Sequence, residues 1–369
     1  MRVVHVAPTP FGHAGIFGGG ERYPLELARA LARRVDCELV TFGGRPARLR
    51  EPGGLRVRVL RPVVRLRHPA HAIAPGLPAA LAGADVVHTH HTRSAPSRIA
   101  ALAARARGSA AVTTDHGLPG GTWRGLLLAL FDRFLMVSEY SARELAAPPR
   151  RTRVIFGGVD CVRYHYDRQA SRRGVLFVGR VTPHKGIDRL IRALPEGAEL
   201  AIAGTAGHDP DPPERDYPDL LRRLARGRSV RFLGAVPDGR LPALYRHASV
   251  LALPSVEHTC YGRHIGVVEL LGLVVLEAMA SGTPVVCSRV GGLPEIVEDG
   301  TTGLLVEPGD VDALRDALDR VLRDRALAER LGRSARERAL ERFSWDACAD
   351  RCLAAYDEIL GARQPTAAR

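Results

Sequence analysis

Two basic residues follow a hydrophobic strand in the second half of the chain, and both could bind a phosphate group. In the stretch VLFVGRVTPHKG, Arg180 comes directly after the strand and Lys185 five residues later. Lys185 is the one lysine among the 53 residues that are lysine or arginine. Because the two residue types are not interchangeable around a phosphate, the retained lysine indicates a position that needs a compact ammonium group. The alternative interpretation is a pair of surface charges that flank a turn.

A pair of glutamates lies further along, in the segment VVELLGLVVLEAMA. Glu269 and Glu277 are eight residues apart, and Gly272 between them marks the point where a helix should begin. The amides around Leu271, Gly272 and Leu273 are then free at a helix N-terminus, where an anion is stabilised. Glu277 falls inside an apolar helix, where a carboxylate is costly without a partner. Sugar or ribose hydroxyls are suitable partners, and a structural arginine is the alternative.

The first half contains a glycine run and an isolated histidine at strand ends. After the first strand the chain reads FGGGERYPLELARAL, in which Gly19 and Gly20 let the backbone approach a ligand ahead of an amphipathic helix. Such a turn can present amides to an anion, although a plain tight turn explains it equally well. It does not match GxGxxG, so a dinucleotide is not indicated. His116, in the segment TTDHG, could by itself be an ordinary loop histidine.

The elements that must position these residues alternate between strand and helix patterns, which predicts two parallel α/β sheets. In the first half the predicted strands are 2–7, 36–42, 55–60, 85–89, 110–114 and 134–137, and the helices are 21–34, 94–107 and 139–146. In the second half the predicted strands are 175–179, 199–204, 230–234, 249–255 and 284–288, and the later helices are 310–323, 325–342 and 346–361.

These patterns predict an α/β protein with two Rossmann-like domains that face each other across a cleft. Residues 1–168 form the first domain, on the acceptor side, and 346–369 pack back on it. Residues 169–345 form the domain that binds the nucleotide sugar. The boundary is set where the segment ending near residue 173 loses periodicity and gains charge. A ligand is expected at the carboxyl ends of the strands.

Composition narrows the range of partners. The formal charge of +13 fits nucleic acid, an anionic membrane surface or an anionic small substrate. The arginines are spread along the chain and aromatic residues make up 5%, so no nucleic-acid module is indicated. Peripheral membrane contact and an unselective arginine bias both stay open as explanations of the charge.

Cysteine spacing and hydropathy indicate a cytoplasmic location. The six cysteines show no CxxC or metal-ligand spacing, which favours a reducing compartment and no zinc site. The N-terminal apolar run is too short for a signal peptide and is interpreted as the first strand. No run of 18 uncharged apolar residues occurs in the sequence, so no membrane span is expected. A protein peripheral to the inner face of the membrane is compatible with this pattern.

Taken together, the ordered motifs resemble the retaining family 4 glycosyltransferases of the GT-B fold. In the second half the resemblance rests on GRVTPHKG, the Glu-x7-Glu pair, GLVVLEAMASGTPVV and GGLPEIVEDGTTGLLV. In the first half it rests on GGGERYPLELARAL, DVVHTHH, TTDHG and VSEYSARELA, so it covers nearly the whole chain. It implies transfer of a sugar from a nucleotide-diphosphate sugar to an acceptor hydroxyl. No motif requires a metal or another cofactor.

The resemblance implies catalytic roles for four residues. Arg180 and Lys185 would bind the donor diphosphate and stabilise its charge as it leaves. Glu269 would contact the donor sugar and phosphate, and His116 would lie near the reacting sugar. From this assignment we expect Lys185→Ala to abolish turnover with little loss of folding.

The remaining implied residues bind the donor. Glu277 would hold the ribose hydroxyls. The amides from Leu271 through Gly272 to Leu273 would contact the donor sugar and phosphate. Gly19 and Gly20 would approach the diphosphate or the acceptor.

The sequence departs from the family pattern before and after the first glutamate. Two leucines precede Gly272 where the family usually has an aromatic residue and a glycine, and the segment 257–268 is longer than the usual loop. We expect this loop to shape donor or acceptor choice. A GT-B sugar-nucleotide epimerase or hydrolase, and a noncatalytic protein that binds sugar nucleotides, are the alternative functions.

Overall fold

The computed structural model describes residues 1–9, 18–65, 70–117, 126–206 and 214–363. The chain forms two compact units, Met1–Gly158 together with the C-terminal residues from Trp345, and Val159–Ser344. Each unit is built on a sheet with helices, as the alternating sequence pattern predicts.

The first unit contains an eight-stranded sheet in the order β10-β9-β8-β7-β1-β2-β4-β3. All neighbouring strands are parallel except β3, which runs antiparallel to β4 at one edge. The strands up to residue 158 are β1 (Arg2–Val6), β2 (Asp36–Phe42), β3 (Ala47–Arg50), β4 (Arg56–Leu60), β5 (Val64–Arg65), β6 (Ala72–Ile73), β7 (Val86–His90), β8 (Ala110–Thr114), β9 (Arg133–Met136) and β10 (Thr152–Val154). The helices are α1 (Gly19–Ala32), α2 (Leu77–Ala80), α3 (Ala95–Ala106), α4 (Leu126–Ala129) and α5 (Glu139–Glu144).

The second unit contains a six-stranded parallel sheet in the order β13-β12-β11-β14-β15-β16. Its strands are β11 (Val175–Val178), β12 (Leu200–Ala203), β13 (Val230–Gly234), β14 (Val250–Leu253), β15 (Val285–Ser288) and β16 (Leu304–Val306). Its helices are α6 (Ile187–Ala193), α7 (Tyr217–Leu224), α8 (Leu241–His247), α9 (Leu273–Ala280), α10 (Leu293–Ile296), α11 (Val311–Arg323) and α12 (Arg325–Arg342). The last helix, α13 (Trp345–Arg363), belongs to the first unit.

Burial explains why these segments form strands and helices. The central strand β1 has Val3, Val4 and Val6 with no exposed surface, as expected for a parallel strand covered on both faces. In α1 the buried residues Tyr23 and Leu27 repeat one helical turn apart, which places them on one face of the helix.

The boundary between the units lies after Gly158 and not, as the sequence predicts, after residue 168. The amide of Val159 donates a hydrogen bond of 2.8 Å to the carbonyl of Phe343. The Tyr164 ring packs edge-on against Tyr245 at 5.7 Å between centroids. The polar segment from 159 to 168 is therefore packed into the second unit, although its composition resembles that of a linker.

The last helix packs within the first unit through polar as well as apolar contacts. Arg33 forms an ion pair of 2.6 Å with Asp346, and Arg34 is paired with Asp350. The residues from 364 onward, which the sequence interpretation included in this segment, lie outside the described residues. No helix in the described part of the chain is both long and apolar enough to cross a bilayer.

Candidate functional site

Lys185 is positioned by a tight turn at the carboxyl end of β11. The strand ends at Val178, and a single 3-10 turn, Pro183–Lys185, leads into α6 through Gly186. Gly186 has a φ of 66°, and a Cβ at this position would collide with the carbonyl oxygen of Pro254. Only glycine fits this backbone without strain, so the turn holds Lys185 in place.

The ammonium group of Lys185 is paired with the carboxylate of Glu269. The two side chains are 13% and 8% exposed, so the ion pair is largely shielded from solvent. Ser255, just after β14, donates a second hydrogen bond of 2.6 Å to Glu269. Burial alone would raise the pKa of Glu269, but the charge of Lys185 and the two hydrogen bonds outweigh it and hold that pKa below its usual value. Glu269 is therefore ionised at neutral pH.

Arg180 is an exposed cation near the same turn. It has no carboxylate within ion-pair distance among the residues that the structure describes. Burial, together with the positive charge of Lys185, lowers the pKa of the adjacent His184 to about 3. The turn after β11 therefore carries two basic side chains, Arg180 and Lys185, beside a neutral histidine, which suits an anionic ligand.

Helix α9 begins where the sequence predicts it, with Gly272 as its N-cap. Gly272 has a φ of 96°, and a Cβ there would lie 2.6 Å from a methyl carbon of Leu293. No side chain caps this end of the helix, while Leu271 is buried and Leu273 is partly exposed. The first amides of α9 therefore have no side-chain cap, and an anion at this end of the helix stays a prediction.

Glu277 lies inside α9, and its side chain is buried at 6% exposure. Tyr245, on α8, donates a hydrogen bond of 2.7 Å from its hydroxyl to the Glu277 carboxylate. One partner of this carboxylate is therefore a tyrosine, which the sequence did not predict. The bond helps to fix the orientation of the carboxylate.

His116 and the glycine run come together in the first unit. Gly19 and Gly20 are the first residues of α1, and a Cβ on Gly20 would lie 3.3 Å from the Cβ of His116. The loop after β8 is held by Asp115, which accepts hydrogen bonds from the amides of Gly117 at 2.7 Å and Thr92 at 3.1 Å. Gly20 therefore lets α1 begin directly against the histidine.

The loop 257–268 is a short hairpin within the second unit. The amide of Ile265 bonds the carbonyl of Glu257 at 2.7 Å, and the rings of His258 and His264 lie 4.8 Å apart. Arg189, on α6, donates a bond of 2.9 Å to the carbonyl of His258. The hairpin is thereby anchored to the helix that follows Lys185.

The structure thus unites some of the predicted residues and adds others. It brings Lys185 to Glu269 and Gly20 to His116. Ser255 was missed, although its place after β14, next to β11 in the sheet, is the kind of strand end where ligands bind. Tyr245 was missed because no sequence pattern reports which helices pack together.

Comparison with known proteins gives the family. The profile described as Glycosyl transferases group 1 matches residues 166–338, and that of Glycosyltransferase Family 4 matches residues 17–163. A D-inositol 3-phosphate glycosyltransferase of Acidothermus cellulolyticus is 31% identical over 425 aligned positions, which cover 100% of this chain and 91% of that protein.

Two further proteins show how far the similarity extends along the chain. An uncharacterized glycosyltransferase of Methanocaldococcus jannaschii is 39% identical over 194 residues, 51% of this chain and 45% of that protein, so the chain matches less than half of its length. The crystal structure of Anabaena HepE in complex with UDP-glucose has a TM-score of 0.71 and 19% identity, and the match covers 98% of this chain and 100% of that one. The similarity to HepE shows the fold alone. The chain belongs to the family 4 glycosyltransferases and has the GT-B type of fold, with two Rossmann-like α/β units.

Proposed function

We propose that this chain is a retaining glycosyltransferase that moves a sugar from a nucleoside-diphosphate sugar to an acceptor hydroxyl. The observation that carries the proposal is the placement of Lys185. Its side chain is 13% exposed, it is paired with Glu269 in the turn after β11, and the exposed Arg180 precedes it by five residues. HepE, which was crystallised with UDP-glucose, has the same fold and supports a nucleotide sugar as donor.

In the proposed reaction the bond between the anomeric carbon and the phosphate oxygen of the donor breaks. The nucleoside diphosphate leaves with the bonding electrons, and Arg180, Lys185 and the first amides of α9 stabilise its charge. The acceptor oxygen forms the new bond on the same face of the sugar, and its proton passes to an oxygen of the departing phosphate. Glu269 is held by Lys185 and Ser255, so it is an orienting group and not a nucleophile.

These cationic and amide groups supply the stabilisation that a divalent metal provides in other phosphate sites. We therefore propose that transfer needs no metal and proceeds in the presence of EDTA. The donor sugar and base are to be identified by thermal shift with a panel of UDP, GDP and TDP sugars, because a ligand of the native state raises the Tm.

The proposed function is tested with the donor that raises the Tm most. We expect nucleoside diphosphate to be released when a candidate acceptor such as an inositol phosphate or a lipid-linked sugar is added, and the product to keep the anomeric configuration of the donor. Release and anomeric configuration are followed by a coupled assay and by proton NMR.

Each alternative has its own outcome in this assay. Release of nucleoside diphosphate at the same rate without any acceptor would favour a hydrolase. Interconversion of the donor sugar would favour an epimerase. Donor binding with no turnover under any condition would favour a noncatalytic binding protein.

We also propose that the first unit contacts an anionic membrane at the cytoplasmic face, through a surface at the edge strand β3. By the name β3 surface we mean the exposed residues of β3 and the turn before it, Arg45, Arg48, Leu49 and Arg50, together with the exposed residues that follow its partner strand β4, Arg61, Val63 and Val64. Leu49, Val63 and Val64 are 48%, 68% and 46% exposed. None of its four arginines has an ion-pair partner within the described ranges. Unpaired arginines and exposed aliphatic side chains in the same part of the sheet edge suit an anionic lipid headgroup region.

Vesicle binding tests the β3 surface. We expect the protein to sediment with vesicles of phosphatidylglycerol and phosphatidylcholine, and Arg48→Glu with Arg61→Glu to weaken this binding about tenfold or more, since each basic residue near the surface contributes about 1 kcal/mol. Arg226→Glu with Arg330→Glu makes the same charge change at exposed positions of the second unit and serves as the control. Equal losses in both double variants would contradict a localised surface.

A further inference from the structure

Four histidines meet in the interior of the first unit. His5 lies on β1, His88 and His90 lie on β7, and His116 follows β8. The first three have no exposed surface. A buried polar ring is costly unless its nitrogen atoms find partners, so an aliphatic residue would be the simpler choice at each of these positions. Their presence in one cluster calls for a function.

Three of these rings form a continuous hydrogen-bonded chain. Nδ1 of His5 lies 3.0 Å from Nε2 of His90, and Nδ1 of His90 lies 3.2 Å from Nε2 of His116. The planes of neighbouring rings in this histidine chain are within 20° and 14° of parallel. The histidine chain runs from the middle of the sheet to His116, at the carboxyl end of β8.

All three rings are held in the neutral form. Burial lowers the pKa of His5 to about 3. Burial, reinforced by neighbouring imidazoles, also lowers the pKa values of His90 and His116 well below the usual range for histidine. A neutral imidazole has one N–H donor and one acceptor nitrogen, so every bond of the histidine chain must run in the same direction.

The direction of these bonds follows from His5, at the buried end of the histidine chain. Nε2 of His5 is buried and has no hydrogen-bond partner in the part of the chain that the structure describes. If the bonds ran away from His116, Nε2 of His5 would carry an N–H without a partner. Buried N–H donors without a partner are rarer in proteins than buried acceptors without one. If they run toward His116, His5 donates to His90 and His90 donates to Nε2 of His116. The hydrogen of His116 then lies on Nδ1.

The same cluster does not suit a metal ion. Nitrogen atoms of His5, His88 and His90 lie within 4.8 Å of one another, which is the composition of a three-histidine site. However, His88 already bonds the hydroxyls of Tyr356 at 2.6 Å and Thr114 at 2.8 Å, and both nitrogens of His90 are used in the histidine chain. The rings of His88 and His90 are stacked within 22° of parallel, so their in-plane lone pairs do not converge on one point.

We propose that His90, supported by His5, is a positioning residue that commits Nε2 of His116 to the protein interior and keeps the hydrogen of His116 on Nδ1. His116 then acts as a neutral hydrogen-bond donor toward an oxygen of the sugar or of the leaving phosphate, and not as a proton acceptor. The part of this inference that concerns the sugar rests on the proposed function. The assignment of the His116 tautomer is independent of that function.

The test is therefore made on the free protein labelled with 15N-histidine, in which long-range proton-nitrogen spectra distinguish the two neutral tautomers. We expect His116 to carry its hydrogen on Nδ1 in the wild type. His90→Leu removes the donor, and because an isolated neutral histidine side chain favours hydrogen on Nε2, the His116 signals should move toward that tautomer. His90→Asn keeps an N–H donor near the former Nδ1 position and should restore the wild-type pattern. His88→Asn, in the same core but outside the histidine chain, should leave it unchanged.

If the proposed function also holds, the transferase activity of each His90 variant should change together with the His116 tautomer. A displaced catalytic group costs about a hundredfold, so His90→Leu should lower kcat by that order while His90→Asn recovers most of it. A wild-type His116 with its hydrogen on Nε2, an unchanged His116 signal in His90→Leu, or stoichiometric zinc in the purified protein would each overturn the inference. Correct tautomer shifts with no transferase activity in the wild type would instead count against the proposed function alone.

Discussion

Replacing Lys185 by alanine is expected to lower kcat by about a hundredfold to a thousandfold, because loss of one group that stabilises the charge of a leaving anion typically has that effect. Lys185 forms an ion pair with the buried carboxylate of Glu269, which holds its ammonium group in the turn after β11 before any donor arrives. The measurement is the initial rate of nucleoside diphosphate release at saturating donor and acceptor.

The same substitution should also reduce stability, contrary to the expectation from sequence of little loss of folding. Removing Lys185 leaves Glu269 buried with one hydrogen bond from Ser255, and breaking a buried ion pair costs about 3 to 5 kcal/mol of unfolding free energy. Urea denaturation of the purified variant measures this loss.

A double variant separates catalysis from stability. Lys185→Met with Glu269→Gln removes both charges while keeping similar side-chain volumes, so it should regain most of the unfolding free energy. Its kcat should stay as low as that of Lys185→Ala. If the double variant were as active as the wild type, the assignment of Lys185 to the diphosphate would be wrong.

The sequence predicts the frame of the site well because its local signals are strong. The start of α9 at Gly272 and the ends of β8 and β11 follow from glycine positions and from β-branched strands bounded by polar turns. The strands β3, β10 and β16 were not predicted. β3 reads ARLR and β10 reads TRV, so both lack the apolar run that marks the predicted four-residue strands, and β16 has only three residues.

What the sequence could not predict are the contacts between elements distant along the chain. Tyr245 and Glu277 lie on different helices, and only the packing of α8 against α9 brings them together. The histidine chain has a partial signal, since His88 and His90 are two residues apart and therefore point to one face of β7. That signal does not reveal His5, whose place beside β7 depends on the order of strands in the sheet.

The second large effect is expected at Glu277, whose proposed task is to hold the ribose hydroxyls of the donor. Glu277→Gln keeps an acceptor for the Tyr245 hydroxyl but removes the charge. Hydrogen bonds to a charged group contribute about 1.5 to 3 kcal/mol, so we expect the Kd of the preferred nucleoside diphosphate to rise about tenfold to a hundredfold. Isothermal titration calorimetry with that nucleotide measures the change, and kcat at saturating donor should change far less.

Tyr245→Phe is the matched control, because it removes the hydrogen bond to Glu277 and leaves the carboxylate in place. The net value of such a bond is smaller, about 0.5 to 1.5 kcal/mol, so nucleotide affinity should fall less than in Glu277→Gln. Equal losses in the two variants would mean that Glu277 matters for the packing of α8 against α9. A loss confined to Glu277→Gln assigns the carboxylate to the ribose, since only that variant changes the charge that the hydroxyl groups meet.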